Sequence, residues 1–254
     1  MATLTVSPSL FPYMITARKE RLFEHVFALY NRNLIRRRFE GLRVAGLDHL
    51  QRHATGTPQL LYANHSSWWD GLIMFQLARV CKLDLYAMME EKQLRQYPFH
   101  RKLGAFSVVR TRPREALKSI EYASNLLRHT SRTLLIFPQG QTAPNDTRPL
   151  KFYNGAARII ECVGEIDLLP VALRYEFLDE FRPQIFARVG AAERIEATSD
   201  FNAKQLTNYM AEKLTHTLDS VHADVIARNF ADYVEIVAPR RRQNEKRPAD
   251  KSIL

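Results

Sequence analysis

An α/β fold, with a central mixed sheet flanked by helices and an amphipathic helix ahead of it, is what this sequence predicts. Three observations carry that expectation. Short apolar runs of strand length alternate with longer stretches of helical period through the middle of the chain. Composition is ordinary for a globular protein, 46% hydrophobic and 25% charged over 254 residues, enough for a substantial core without disulfide staples. No window reaches the roughly 18 unbroken apolar residues of a spanning helix.

Residues 1–15 carry Pro8 and Pro12 and read as irregular. From Ala17 to Arg38 the period is helical. Leu22, Val26, Leu29 and Leu34 fall near one face, Phe23, Phe27 and Tyr30 widen it, and Arg18, Lys19, Arg21, Arg32, Arg36, Arg37 and Arg38 supply charge. Such a helix either lies on an anionic membrane or packs on its own domain with its basic residues in water. Strands are expected at Leu42 to Ala45, Gln59 to Ala63, Leu83 to Met88, Ala105 to Val109, Thr133 to Phe137, Leu168 to Leu173 and Gln184 to Val189. Helices are expected at Trp68 to Val80, Glu90 to Lys102, Pro113 to His129, Lys151 to Cys162 and Phe201 to Ser220, the last capped by Ser199 or Asp200. The expected organisation is a helical segment over residues 1–40, a folded domain over 41–222 and a C-terminal segment over 223–254. The charged tail from Pro239 is expected to be disordered.

The chain holds 37 Lys and Arg against 27 Asp and Glu, a formal net charge of +10. That excess favours anionic partners, whether membrane, nucleic acid or a charged substrate, without choosing among them. A nucleic-acid module is disfavoured: there is no zinc finger, aromatic RNA-binding signature or DNA-binding helix pair, and the basic residues are scattered. Cys81 and Cys162 make neither a disulfide framework nor a metal cluster, so no metal is expected and a reducing interior is the default. The first residues lack the order of a secretory signal, so a cytoplasmic protein is expected.

Chemistry concentrates in four places. Asn64-His65-Ser66-Ser67-Trp68-Trp69-Asp70 joins an apolar strand to a helix. An imidazole takes a proton near neutral pH, and a carboxylate beside it fixes its tautomer and steadies the imidazolium. Five residues is a poor spacing on a regular helix, so the pair works only if His65 lies in the turn and Asp70 on the first helical turn. Otherwise it is a surface histidine beside a helix-capping acid. Gly104 to Arg110 reads as a strand ending in a cation whose donor fork suits phosphate. Leu135 to Thr142 is a strand breaking at Pro138-Gln139-Gly140, with Lys151 and Gly155 at a later loop-to-helix junction where an anion can sit. Leu168 to Leu173 reads as a buried strand with a proline.

In order, His65-x4-Asp70, Gly104-x5-Arg110, Phe137-Pro138-x-Gly140 and Leu169-Pro170-Val171-Ala172 resemble the four blocks of the glycerolipid acyltransferase family, over roughly residues 40–190. The resemblance implies an enzyme that moves a fatty acyl group from acyl-CoA or acyl-carrier protein to a lipid hydroxyl. His65 is then the general base and Asp70 its partner. Asn64, Gly104, Arg110, Pro138, Gln139, Gly140 and Lys151 then serve the acceptor, and no cofactor is needed beyond the acyl donor. Trp68 and Trp69 are candidates for a wall of the acyl site, and the protein is expected on the inner face of a membrane. A related lipid-binding protein without turnover is the alternative. The third block departs from the family's Phe-Pro-Glu-Gly-Thr-Arg: Gln139, Gln141 and Thr142 stand where glutamate, threonine and arginine are usual. The paired loss of an acid and a base suggests a less anionic acceptor, such as a glycolipid or glycosylated isoprenoid.

Overall fold

A computed structural model describes residues 14–51, 56–196 and 202–240. Its strands are β1 (Leu42–Ala45), β2 (Gln59–Ala63), β3 (Leu85–Glu90), β4 (Ala105–Val108), β5 (Thr133–Ile136), β6 (Ile166–Glu176), β7 (Gln184–Val189), β8 (Glu193–Ile195) and β9 (Val234–Val237). Its helices are α1 (Arg21–Arg38), α2 (Leu47–Gln51), α3 (Asp70–Val80), α4 (Glu91–Gln96), α5 (Pro113–Leu127), α6 (Gly155–Val163) and α7 (Ala203–Ile226).

One mixed sheet runs in the order β4-β3-β5-β2-β6-β7-β1-β9, with β8 beside the start of β6. From β4 to β6 all neighbours are parallel, and β7 reverses the direction. The central strand β2 is buried along its whole length, as a parallel strand covered on both faces must be. Alternation along it feeds two cores. Leu60 and Tyr62 point to one, with α5, α6 and α7; Leu61 and Ala63 point to the other, with Ile35 of α1 and Ile73, Met74 and Leu77 of α3. Each large apolar side chain so buried stabilises the fold by about 1.5–3 kcal/mol relative to exposure.

The expected mixed α/β architecture is what the structure has. Several bounds differ for physical reasons. The helix expected over Glu90 to Lys102 stops at Gln96, since Pro98 has no amide hydrogen to donate, and a 3-10 turn spans Pro98–Leu103. Helix α7 runs to Ile226, past the boundary placed at residue 222, because its apolar spacing continues through the buried Val221 and Val225. Strand β9 then returns to pair with β1, so residues after 222 complete the sheet. Asn202 caps α7, accepting from the Gln205 amide while the Gln205 side chain accepts from the Asn202 amide. Ser199 and Asp200, expected to cap it, lie outside the described residues, as do residues 1–13 and the tail from 241.

Helix α1 docks by an unexpected face. Glu24, Asn31 and Ile35 turn inward; the Asn31 amide donates to the Leu72 carbonyl of α3 at 2.9 Å. The stripe of Leu22, Val26, Leu29 and Tyr30 points out, each at least 60% exposed. No described helix is long and apolar enough to cross a membrane.

Candidate active site

The site forms where β2 ends and α3 begins. Asn64 closes β2 with its side chain: Oδ1 accepts from the Leu173 amide at 2.7 Å, and Nδ2 donates to the Leu173 carbonyl and to Asn145 Oδ1, both at 2.9 Å. Both of its N–H groups and its oxygen are engaged by protein. Asn64 therefore ties the reactive turn to β6.

The next five residues fold into a tight turn. Asp70, fully buried, starts α3 and reaches back. Its Oδ2 accepts from His65 Nδ1 at 2.8 Å, from the Ser66 amide at 2.7 Å and from the Ser67 amide at 2.8 Å. Its Oδ1 accepts from the Tyr175 hydroxyl at 2.6 Å. That geometry is how a five-residue spacing, poor on a helix, brings the two groups together. A carboxylate only accepts, so Nδ1 carries its hydrogen toward Asp70 and Nε2 presents a lone pair. The His65 side chain is 21% exposed, open enough for a reactant to approach.

The loop after β5 braces the histidine from the other side. Phe137 stacks on its ring at 4.5 Å between centroids. Gln139 Oε1 accepts from the His65 amide at 2.8 Å, and the Ala143 amide donates to the His65 carbonyl at 2.8 Å. Gln139, expected to meet the acceptor, is buried and holds the base's backbone. Gln139→Leu should thus orphan a buried amide, at about 1–3 kcal/mol of stability, whereas Gln139→Glu keeps an acceptor there. Urea unfolding midpoints of the two variants check this.

Gly140 turns the loop at φ +67°, with its own amide donating to the Phe137 carbonyl. A side chain there would lie 2.3 Å from Arg110 Nη1 and 2.8 Å from the Tyr153 ring. Arg110 packs over Tyr153 and meets Glu90 at 3.3 Å. The Tyr153 amide donates to the Pro138 carbonyl, and exposed Lys151 sits two residues earlier. The structure thus gathers His65, Asp70, Arg110, Pro138, Gln139 and Gly140 at the C-terminal edge of the parallel strands.

Gly104 is not among them. It precedes β4, on the opposite edge, about 20 Å of extended chain from Arg110. Its φ of +98° and a Cβ position only 2.7 Å from the Leu85 carbonyl oxygen explain the glycine. Trp69 is half-buried, its ring packed edge-on to the core residue Phe39 at 4.9 Å and to Trp68 at 5.5 Å, while Trp68 is 60% exposed. Tyr175 carried no signal in the sequence. Only the reach of β6, five residues past its last pairing with β2 at Val171, reveals its place.

Residues 41–174 match the family model described as Acyltransferase. The chain belongs to the acyltransferase family. Among relatives of this acyltransferase-family chain is a 1-acyl-sn-glycerol-3-phosphate acyltransferase of Streptococcus pneumoniae, 30% identical over 116 residues. That match spans 44% of this chain and 40% of the relative's length. In fold, the chain is similar to the crystal structure of the 1-acyl-sn-glycerophosphate acyltransferase PlsC from Thermotoga maritima. The TM-score is 0.56 at 15% identity, over 80% of this chain and 79% of that one.

Proposed function

We propose that this protein is an O-acyltransferase that moves a fatty acyl group from acyl-CoA or acyl-carrier protein to a lipid hydroxyl. The His65–Asp70 pair, 2.8 Å apart at the strand edge of an acyltransferase-family chain, carries the reading. His65 Nε2 takes the proton as the acceptor's O–H bond breaks. The oxygen attacks the thioester carbonyl carbon, the C–S bond breaks, and the departing thiolate takes the proton from Nε2. Asp70 stabilises the imidazolium between the two transfers. Ser66 and Ser67 are not nucleophiles in this scheme; they serve it through their backbone amides, which hold Asp70.

The acceptor we propose is a lipid alcohol carrying little phosphate charge. Gln139 engages the protein backbone, Gln141 and Thr142 are exposed and neutral, and Arg110 is partly balanced by Glu90. Lysophosphatidate is the second reading, favoured by the named activity of the S. pneumoniae relative. Purified protein with one acyl-CoA and a panel of lysophosphatidate, glycolipid and glycosylated isoprenoid alcohols decides between them. Acylation of lysophosphatidate with the neutral alcohols ignored overturns the first; no acylation of any acceptor overturns the activity.

We further propose peripheral binding to the cytoplasmic face of a membrane through α1, whose outward Leu22, Val26 and Leu29 are flanked by Arg21, Arg32 and Arg37. The triple change of these three apolar residues to glutamate should weaken sedimentation with phosphatidylglycerol vesicles by roughly 100-fold or more. Unchanged binding removes α1 from the interface.

A further inference from the structure

We propose that Tyr175 is a positioning residue that sets the base strength of His65 through the far oxygen of Asp70. The proposal rests on His65 acting as the base, as set out above.

Its starting point is an asymmetry. Asp70 Oδ2 receives three N–H donors, and these fix the turn. Oδ1 accepts from the Tyr175 hydroxyl at 2.6 Å, a short, charge-assisted bond to a fully buried carboxylate. Three features place it there. β6 continues past β2 and keeps its pairing with β7, Tyr175 opposite Ile185. The Asn64 side chain extends the β2–β6 seam to Leu173. The Tyr175 ring leans on Phe39, 5.8 Å between centroids, which fixes its direction.

The electrostatics follow from that arrangement. A donor on Oδ1 draws negative charge toward the phenol and away from the Nδ1–H bond. The carboxylate then pulls less strongly on a proton at the imidazole than it would without the phenol. Burial, together with the charge and accepting oxygen of Asp70, pushes the Tyr175 phenol well above its ordinary value, so it stays a donor. Uncharged groups pack on the pair and on Tyr175: Phe137 and Gln139 from the loop after β5, and Phe39 after α1; Arg110 beside Gly140 is paired with Glu90. The neighbouring charges, Arg174 and Glu176 on β6 and Asp146 in the loop, pair with one another.

Two measurements on the full chain test this. The first is kcat/KM against pH; the second is an NMR titration of the His65 imidazole, assigned by the signal lost in His65→Ala. In Tyr175→Phe both the acid limb and the imidazole midpoint should move to higher pH by about half a unit, a threefold change on the acid side. A ring-fluorinated tyrosine in place of Tyr175 is a stronger donor of the same shape, and should move both the other way. It also keeps the test open if the phenylalanine variant fails to fold. Tyr233→Phe, which removes a hydroxyl bonded to Asp224 away from the site, should leave the midpoint in place. A uniform loss of activity with both midpoints unmoved overturns the proposal. If no acyl transfer is found for any acceptor, the proposed function falls, while the imidazole titration still decides the role of Tyr175.

Discussion

Replacing His65 by alanine is expected to lower acyl transfer by about 1,000-fold or more while the protein stays folded. A lone alcohol is a weak nucleophile toward a thioester, and the described turn offers no other imidazole or unpaired carboxylate to take its proton. The fold should survive the change. His65 is partly exposed, its backbone amide and carbonyl keep their partners on Gln139 and Ala143, and the losses are the ring stacked on Phe137 and its Nδ1–H bond to Asp70. Asp70 keeps the Ser66 and Ser67 amides and the Tyr175 hydroxyl. Stability should therefore fall by about 2 kcal/mol, the scale of one hydrogen bond to a charged group. Initial rates with a thioester donor, alongside a thermal melt, read both quantities. A folded variant that turns over at the parent rate would remove His65 from the chemistry. A protein that binds lipid but shows no transfer in either form would point to a silent relative.

The His65–Asp70 pair was legible because residue type, strand-to-helix position and order among four blocks agreed. What the sequence did not carry was the geometry that makes five residues suffice. The carboxylate folds back over the Ser66 and Ser67 amides, a tertiary fact of one turn. Gln139 was legible as a site residue, but its bond to the His65 amide was not, since motif order says nothing of which backbone group an amide side chain meets. Gly104 shows the same limit. It lies in the block that ends in Arg110, yet a strand separates the two, and a strand carries its ends to opposite edges of a sheet. Apolar periodicity found α1 but not its inward face, because Asn31 docks through a hydrogen bond to Leu72 that hydropathy cannot see. β9 was missed for a related reason: Val234 and Glu235 are exposed, so it shows no clean alternation.

Asp70 separates chemistry from architecture when two substitutions are compared. In Asp70→Asn the side-chain oxygen can occupy the Oδ2 position and accept from His65 Nδ1 and both serine amides; the reverse orientation would set an NH2 group against three donors. The amide nitrogen then meets the Tyr175 hydroxyl, which rotates to accept from it. Four hydrogen bonds survive, but the charge goes, and the phenol O–H and the second amide hydrogen are left without the acceptor that Asp70 gave. Without that charge the imidazolium formed in the reaction has no counter-ion, and turnover should fall by about 1,000-fold, at a stability cost of about 1–3 kcal/mol for the donors left over. Asp70→Ala instead strips acceptors from two part-buried amides, the imidazole and the Tyr175 phenol at once. Unsatisfied buried donors cost about 1–3 kcal/mol each, so a loss on the order of 4 kcal/mol is expected even if water reaches some of them. In a chain of this size that is roughly a 10 °C drop in melting temperature. Paired rate and melting measurements on the two variants distinguish the roles. If Asp70→Asn kept its rate, the carboxylate would be a structural anchor alone. If Asp70→Ala melted with the parent, the four bonds drawn to that carboxylate would not be what holds the turn.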